Sequence, residues 1–260
     1  DLTGRGSLLY AVGGNELVIL DIANPLAPLL VSMAVVTSSS CRGIVLDDTL
    51  AFVTTYYALV VVDVTDPYQP IVLDNFPLGE RFGSHTVRNG IVYVGNNVGA
   101  VTLYPDMIDA RDPSDLQWLG SLSSAGPASA LTSVDTTLYV AGKYQTGPGY
   151  FLEAFSISDP ANPSSLWIDT LSPGTGMPVY LMIKDTLAFV SGYPSLQVYR
   201  LNGSGAANPL TAISRTNAQY PNIKLALRDS VIVGSQATGL WIMKSHLPDS
   251  LESITYFMAG

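Results

Sequence analysis

An apolar hexamer recurs along this chain at near-equal intervals, and that repeat restricts the fold more than any other feature. It reads LVILDI from Leu17 and LVVVDV from Leu59. It returns as AFSI at Ala154, LQVYRL from Leu196 and LWIMKS from Leu240, with a distorted copy, MIDA, at Met107. The fifth hexamer position makes a ruler. It falls at Asp21, Asp63, Asp109, Ser156, Arg200 and Lys244, at intervals of 42, 46, 47, 44 and 44 residues. Proline follows four residues later in five copies, at Pro25, Pro67, Pro113, Pro160 and Pro248. A period in the forties that holds several short strands is the signature of a propeller blade.

The second copy shows the internal order. Residues 43–46 read as a strand, 47–49 as a tight turn, 50–55 as a second strand and 56–58 as a loop. The third strand follows at 59–64, then the turn TDPYQP, then a fourth strand at 71–76. Strand length, β-branched content and turn residues agree. The first turn returns as Arg88-Asn89-Gly90, Asp135-Thr136-Thr137, Lys184-Asp185-Thr186 and Arg228-Asp229-Ser230. Asn and Asp tolerate the positive φ of hairpin turns, and an Asp or Asn before Pro closes an Asx turn. A small four-stranded sheet cannot bury both faces alone; radial packing against its neighbours does so, which suits uninterrupted apolar runs such as LVVV.

The expected fold is therefore all-β, a six-bladed β-propeller of four-stranded antiparallel blades in a single domain. The repeats fall at about 1–36, 43–78, 85–122, 129–171, 178–216 and 222–260. The first blade is expected to be incomplete at its N-terminal strand, because residues 4–7 read as a turn and leave only 1–3 before it. The chain would then begin inside a blade, as part of a longer polypeptide, with a gap left open or filled by another segment or chain. An open edge there would favour assembly.

The hexamers LVILDI and LVVVDV, with ANPLAP and TDPYQP behind them, resemble the LVIVD repeat of bacterial and archaeal surface-associated β-propellers. The third, fifth and sixth copies depart from it, with Arg200 and Lys244 in place of Asp and an irregular third strand in copy three. The resemblance implies a propeller in an extracellular or cell-surface setting, with the periplasm as an alternative. It implies no catalytic residues.

Composition narrows the partners. Lys and Arg total 12 against 21 Asp and Glu, a formal charge of −9 without any cluster of cations. A phosphate backbone or an anionic membrane surface would repel such a chain. No apolar run approaches the length that spans a bilayer. The single cysteine excludes an internal disulfide.

Catalytic patterns such as HExxH, CxxC, GxSxG and a P-loop are missing. The two histidines, His85 and His246, lack other metal-ligand residues at ligand spacing. Arg42 beside Cys41 could lower the thiol pKa, and His85 could face it across one blade as a Cys–His pair. The preferred reading is a small core thiol, since no third orienting group is evident. Asp106, Asp109, Asp112 and Asp115 are carboxylates of the kind Ca²⁺ takes. Against that, Asp109 and Asp112 match the ordinary turn residues Asp63 and Asp66, and no Gly lies among them. Asn202-Gly203-Ser204 matches a glycosylation acceptor, a common pattern.

What remains is one end of the blades. Loops between second and third strands and loops between blades fall at that end, and they carry Arg42, Tyr56, Tyr57, Arg81, His85, Tyr144, Tyr193 and Tyr220. Tyr and Arg anchor interfaces, and Tyr also stacks on sugars. The expectation is a binding or scaffolding module, engaging a protein partner or self-assembling on a cell surface, with no cofactor. The alternatives are a carbohydrate-binding or carbohydrate-acting propeller, and a metal-dependent or other enzyme using Cys41 with His85 or the Asp106–Asp115 carboxylates. A glycosidase would need two facing carboxylates, and Glu80 is the one acid placed near that end.

Overall fold

The computed structural model describes the chain except residues 80–83, 97–103, 175, 193–194, 204–208, 218–223, 229–230, 237–238, 247–249 and 259–260. No helix occurs among the described residues, and the strands form six four-stranded antiparallel sheets. The first contains β1 (Leu2–Arg5), β2 (Leu8–Gly13), β3 (Glu16–Asp21) and β4 (Leu29–Val35). The second contains β5 (Cys41–Asp47), β6 (Leu50–Thr55), β7 (Ala58–Asp63) and β8 (Ile71–Pro77). The third contains β9 (His85–Arg88), β10 (Ile91–Val94), β11 (Asp106–Asp109) and β12 (Gln117–Ser121). The fourth contains β13 (Ala128–Val134), β14 (Thr137–Lys143), β15 (Tyr150–Ser156) and β16 (Ser164–Thr170). The fifth contains β17 (Pro178–Lys184), β18 (Leu187–Gly192), β19 (Ser195–Leu201) and β20 (Leu210–Asn217). The sixth contains β21 (Lys224–Arg228), β22 (Val231–Gln236), β23 (Gly239–His246) and β24 (Ser250–Met258). Every sheet runs in chain order, as a propeller blade does. The chain divides into two compact units, Asp1–Val101 with Pro105–Leu122, and Thr102–Tyr104 with Ser123–Gly260. The first three sheets belong to the first unit and the last three to the second.

The ruler residues all lie on the third strand, where the turn chemistry explains them. In the first three blades the N–H two residues on donates to the ruler carboxylate: Ala23 to Asp21 and Thr65 to Asp63 at 2.8 Å, Arg111 to Asp109 at 3.0 Å. Ser158 N–H reaches the Ser156 hydroxyl at a longer 3.5 Å. A second Asx turn begins three residues after the ruler, where Asn24, Asp66, Asp112 and Asp159 accept from the N–H of Leu26, Tyr68, Ser114 and Ala161. Two side-chain acceptors thus satisfy backbone donors that the turn would otherwise leave to water.

A further regularity is invisible in the residue pattern. All six ladders between third and fourth strands shift register at one place, just before the ruler. The extra residue is Val31, Leu73, Leu119, Leu166, Ile213 and Ile254, an aliphatic in every blade. Such bulges increase twist and suit an outermost strand.

Side chains alternate between two cores. Ala51, Val53, Val60 and Val62 pack with Tyr10, Val12, Leu17 and Ile19 of the first sheet. Their neighbours Phe52, Leu59 and Val61 pack with Val87, Val92, Val94 and Ile108 of the third. The fourth and fifth sheets share a core through Leu152, Val190 and Tyr199, and the fifth and sixth through Phe189, Val198 and Ile232. Burying a Val or Leu fully stabilises by about 1.5–3 kcal/mol, which is why LVVV needs no polar interruption.

The expected gap in the first blade is absent. Residues 4 and 5 are strand and not turn: Gly4 pairs Leu9 and Arg5 pairs Leu8. The first strand is shortened, four residues against seven in β5, β13 and β17, but it is complete enough to close the sheet. Asp1 lengthens it, because its ammonium donates to Val12 O and its carbonyl accepts Val12 N–H, both at 2.8 Å. The turn itself needs only Gly6 and Ser7, with Gly6 at φ +60°.

Candidate binding surface

The best-defined cluster of the expected binding residues lies at the loop end of the second blade. β5 carries a bulge: Cys41 pairs Thr55 and Gly43 pairs Thr54, so Arg42 is the extra residue of the bulge and is exposed. Re-aiming one side chain is what a bulge does. The Arg42 guanidinium carbon sits 3.6 Å from the centre of the Tyr56 ring, a cation–π contact. Tyr56 and Tyr57 rings lie 6.1 Å apart at 41°. Tyr57 is 54% exposed.

The loop that carries the two tyrosines is pinned. Thr55 Oγ1 accepts from Tyr57 N–H at 3.1 Å and Ala58 N–H at 3.0 Å. Tyr56 N–H donates to Ser40 O at 3.2 Å, and Leu78 N–H donates to Tyr57 O at 2.7 Å. A cation, a stacked ring and an exposed ring are therefore held on a rigid base, so little loop entropy is lost on binding.

His85 is not part of that surface. It is 7% exposed and bridges two blades, with Nε2 2.9 Å from Phe52 O and Nδ1 3.2 Å from Thr54 Oγ1. A carbonyl only accepts, so Nε2 carries the proton and the threonine hydroxyl donates to Nδ1 in the neutral ring. Cys41 belongs to the core between the first two sheets. Burial pushes its thiol pKa up. Arg42 does not activate it, having turned to Tyr56. With both imidazole nitrogens engaged elsewhere and the thiol kept protonated, Cys41 and His85 do not form a nucleophile pair.

Tyr144 lies in the second unit, half-buried, its ring 5.4 Å from Phe151 and its hydroxyl 2.9 Å from Thr170 Oγ1. Arg81, Tyr193 and Tyr220 lie outside the described residues. The four aspartates of the third blade do not converge. Asp106 is buried and accepts from Trp118 Nε1 and Ser121 Oγ, each at 3.3 Å. Asp109 pairs with Arg111, which holds its carboxyl below the usual range. Asp112 closes its turn, and Asp115 takes Gln117 Nε2 at 2.6 Å. Among the described residues no three His, Cys, Asp or Glu stand close enough to share a metal ion.

Sequence reasoning missed Glu153. It is 5% exposed in the middle of β15 and accepts from Ala125 N–H at 2.9 Å and Ser165 Oγ at 2.8 Å. Burial pushes its carboxyl pKa up, and those two donors only partly offset it. The ruler would have found it: three residues before the ruler stand Val18, Val60, Asp106, Glu153 and Gln197, apolar in two blades and buried polar in the next three.

Comparison with known proteins bears on fold more than on activity. The model of the LVIVD repeat matches residues 6–35, which span β2 to β4. No curated protein matches the sequence. Among solved structures 437 chains match, so the fold by itself discriminates no function. One is "The crystal structure of a functionally unknown protein from Desulfotomaculum acetoxidans DSM 771", with 13% identity and a TM-score of 0.77 over all of this chain and 85% of that one. With six blades of one plan and the repeat matched in the first, this chain is an all-β repeat protein of the propeller type that carries the LVIVD repeat.

Proposed function

We propose that this chain is a non-catalytic binding or scaffolding module of a cell-surface or secreted protein, and that it engages a protein partner through Arg42, Tyr56 and Tyr57. The observation that carries the reading is the stacked cation and exposed ring on a pinned loop. Tyr and Arg are enriched in interface hot spots: Tyr buries much area for two rotatable bonds, and Arg offers a planar group with several donors. The net charge of −9 argues against a nucleic-acid partner, and the 54% exposure of Tyr57 suits a contact led by its ring.

A carbohydrate is the second reading, favoured by the exposed Tyr57 ring, which offers a flat apolar face to a sugar. Screening the chain against an array of extracellular proteins and an array of glycans separates the two. A protein hit weakened about tenfold or more by Tyr57→Ala, with an unchanged melting temperature, supports the first reading. Glycan hits alone, weakened by the same change, replace it with the second. Hits of either kind that ignore both Tyr57→Ala and Arg42→Ala refute this surface.

A further inference from the structure

We propose that β4 is a self-association edge, through which two copies of this chain pair as antiparallel strands about a two-fold axis. β4 is the outermost strand of its sheet, and among the described strands its ladder is with β3. An outermost strand offers a row of unpaired donors and acceptors, and proteins blunt such edges with charge, proline, bulges or short length. Beyond the bulge common to all six, the sequences of the other outermost strands offer one more: β8 includes Asp74 and Pro77, β16 Asp169, β20 Arg215 and β24 Glu252, while β12 is only five residues long. β4 reads LLVSMAV and has none.

Its exposure matches. Leu29, Leu30, Met33 and Val35 are 66%, 63%, 58% and 64% exposed, and Leu26 in the preceding turn is 95% exposed. The bulge at Val31 is common to all six blades and so does not single this edge out for protection. Ser32 is fixed, its hydroxyl donating to Pro67 O of the next blade at 2.6 Å, so the edge is presented without rearrangement.

Charge selects the occupant. A body of −9 repels its own copy, so two copies meet most favourably where neither contributes a carboxylate. β4 is such a strip, and it is self-complementary: with Ser32 on the axis, Leu29 stands opposite Val35 and Leu30 opposite Ala34 of the second copy. Seven residues bury less than the ~800 Å² per partner of a standard interface. The dimer is accordingly reversible and concentration-dependent.

The test is sedimentation velocity of the full chain between about 1 and 200 μM, at low and at 0.5 M salt. The expected result is a monomer–dimer equilibrium that tightens with salt, because screening removes the net repulsion. Met33→Lys weakens it at least tenfold, and Val35→Lys does the same if Met33→Lys folds poorly. Ile71→Lys on β8 and Tyr57→Ala leave it unchanged, which separates this inference from the loop-end reading. A monomer throughout the range, or a dimer indifferent to both lysine variants, overturns it.

Discussion

Gly43→Ala tests whether the His85 bridge holds two blades together. A Cβ at Gly43 would meet His85 Cε1 at 3.0 Å, Thr54 Oγ1 at 3.1 Å and His85 Nδ1 at 3.2 Å. Each distance is tighter than ordinary carbon contact, and none of the three atoms is the loose end of a flexible chain. The ring is fixed at both nitrogens, and Thr54 is one of its partners. Gly43 does not have a positive φ, so backbone strain plays no part. Overpacking costs about 1–3 kcal/mol, and displacing the ring risks two hydrogen bonds of about 0.5–1.5 kcal/mol each. Against this, alanine lowers the entropy of the unfolded chain by about 0.4–1 kcal/mol. The net expectation is a loss of about 1–3 kcal/mol, with the melting temperature falling roughly 2–4 °C per kcal/mol in a chain of this size. Urea unfolding followed by tryptophan fluorescence measures it. Trp118 reports on the first unit, where the substitution lies. In a His85→Ala background the added methyl fills the vacated space, so Gly43→Ala becomes neutral or stabilising there. The two changes therefore couple by at least about 1 kcal/mol. A Gly43→Ala protein as stable as the parent, or two effects that simply add, would refute the argument.

Three other outcomes follow from the same geometry. Glu153→Gln removes a buried charge and leaves an amide able to serve both Ala125 N–H and Ser165, as Gln197 stands in the next blade. Because burial raises the folded pKa of Glu153, its stabilising contribution is complete below the usual carboxylate pKa and is lost as pH rises through the folded value. Urea titrations should therefore show the variant gaining on the parent from pH 5 to pH 7; a variant that loses ground over that interval contradicts the reading. Asp63 is the opposite case, since the Thr65 hydroxyl and N–H lower its pKa. Its contribution is present above the usual pKa and lost as pH falls through the lowered one, and in so exposed a turn Asp63→Ala should cost below about 1 kcal/mol at pH 7 and progressively less as the pH is taken below the usual carboxylate range. Asp135 has φ +51°, so Asp135→Val should cost about 1–2 kcal/mol in thermal melts while Asp135→Gly is tolerated.

The fold was legible because its signal is chemical and local. Asp at the ruler accepts from the N–H two residues on, and Pro four residues on refuses the ladder, so the turn writes itself into the residues. Asp48, Asn89, Asp135 and Asp185, read as hairpin residues, all have positive φ. Glycine misled the reading of the first blade. Gly4 looks like a turn residue, yet a glycine can also extend, and only pairing with Leu9 decides. The bulges were not legible, because an extra Val, Leu or Ile in an apolar strand leaves no mark. His85 was misplaced for a related reason. A histidine in a loop-rich stretch reads as exposed, and only the neighbouring blade, through Phe52 O and Thr54, takes it out of water.

The shared backbone plan also shows where function can reside. β5, β13 and β17 carry a bulge at one position, and its extra residue is Arg42, Ser129 and Val179. In the fourth blade Ser129 is buried and its hydroxyl bonds Pro178 O of the following blade, so there the position ties blades together. Val179 is half-buried. Only Arg42 is turned outward, and it stacks on a tyrosine that the first blade lacks, since Gly14 and Asn15 form the corresponding loop between β2 and β3. The bulge can be met by a small polar or an aliphatic side chain, so folding does not demand an arginine there. Nor does it demand Tyr57, whose ring is half out of water while Thr55 Oγ1 and the backbone bonds to Ser40 and Leu78 fix the loop. An exposed cation on a half-buried surface aromatic contributes little to stability, about 0.5–1 kcal/mol in such a setting. Residues that the scaffold can do without, placed together at the loop end of one blade, are the ones whose replacement should alter recognition and leave the blades standing.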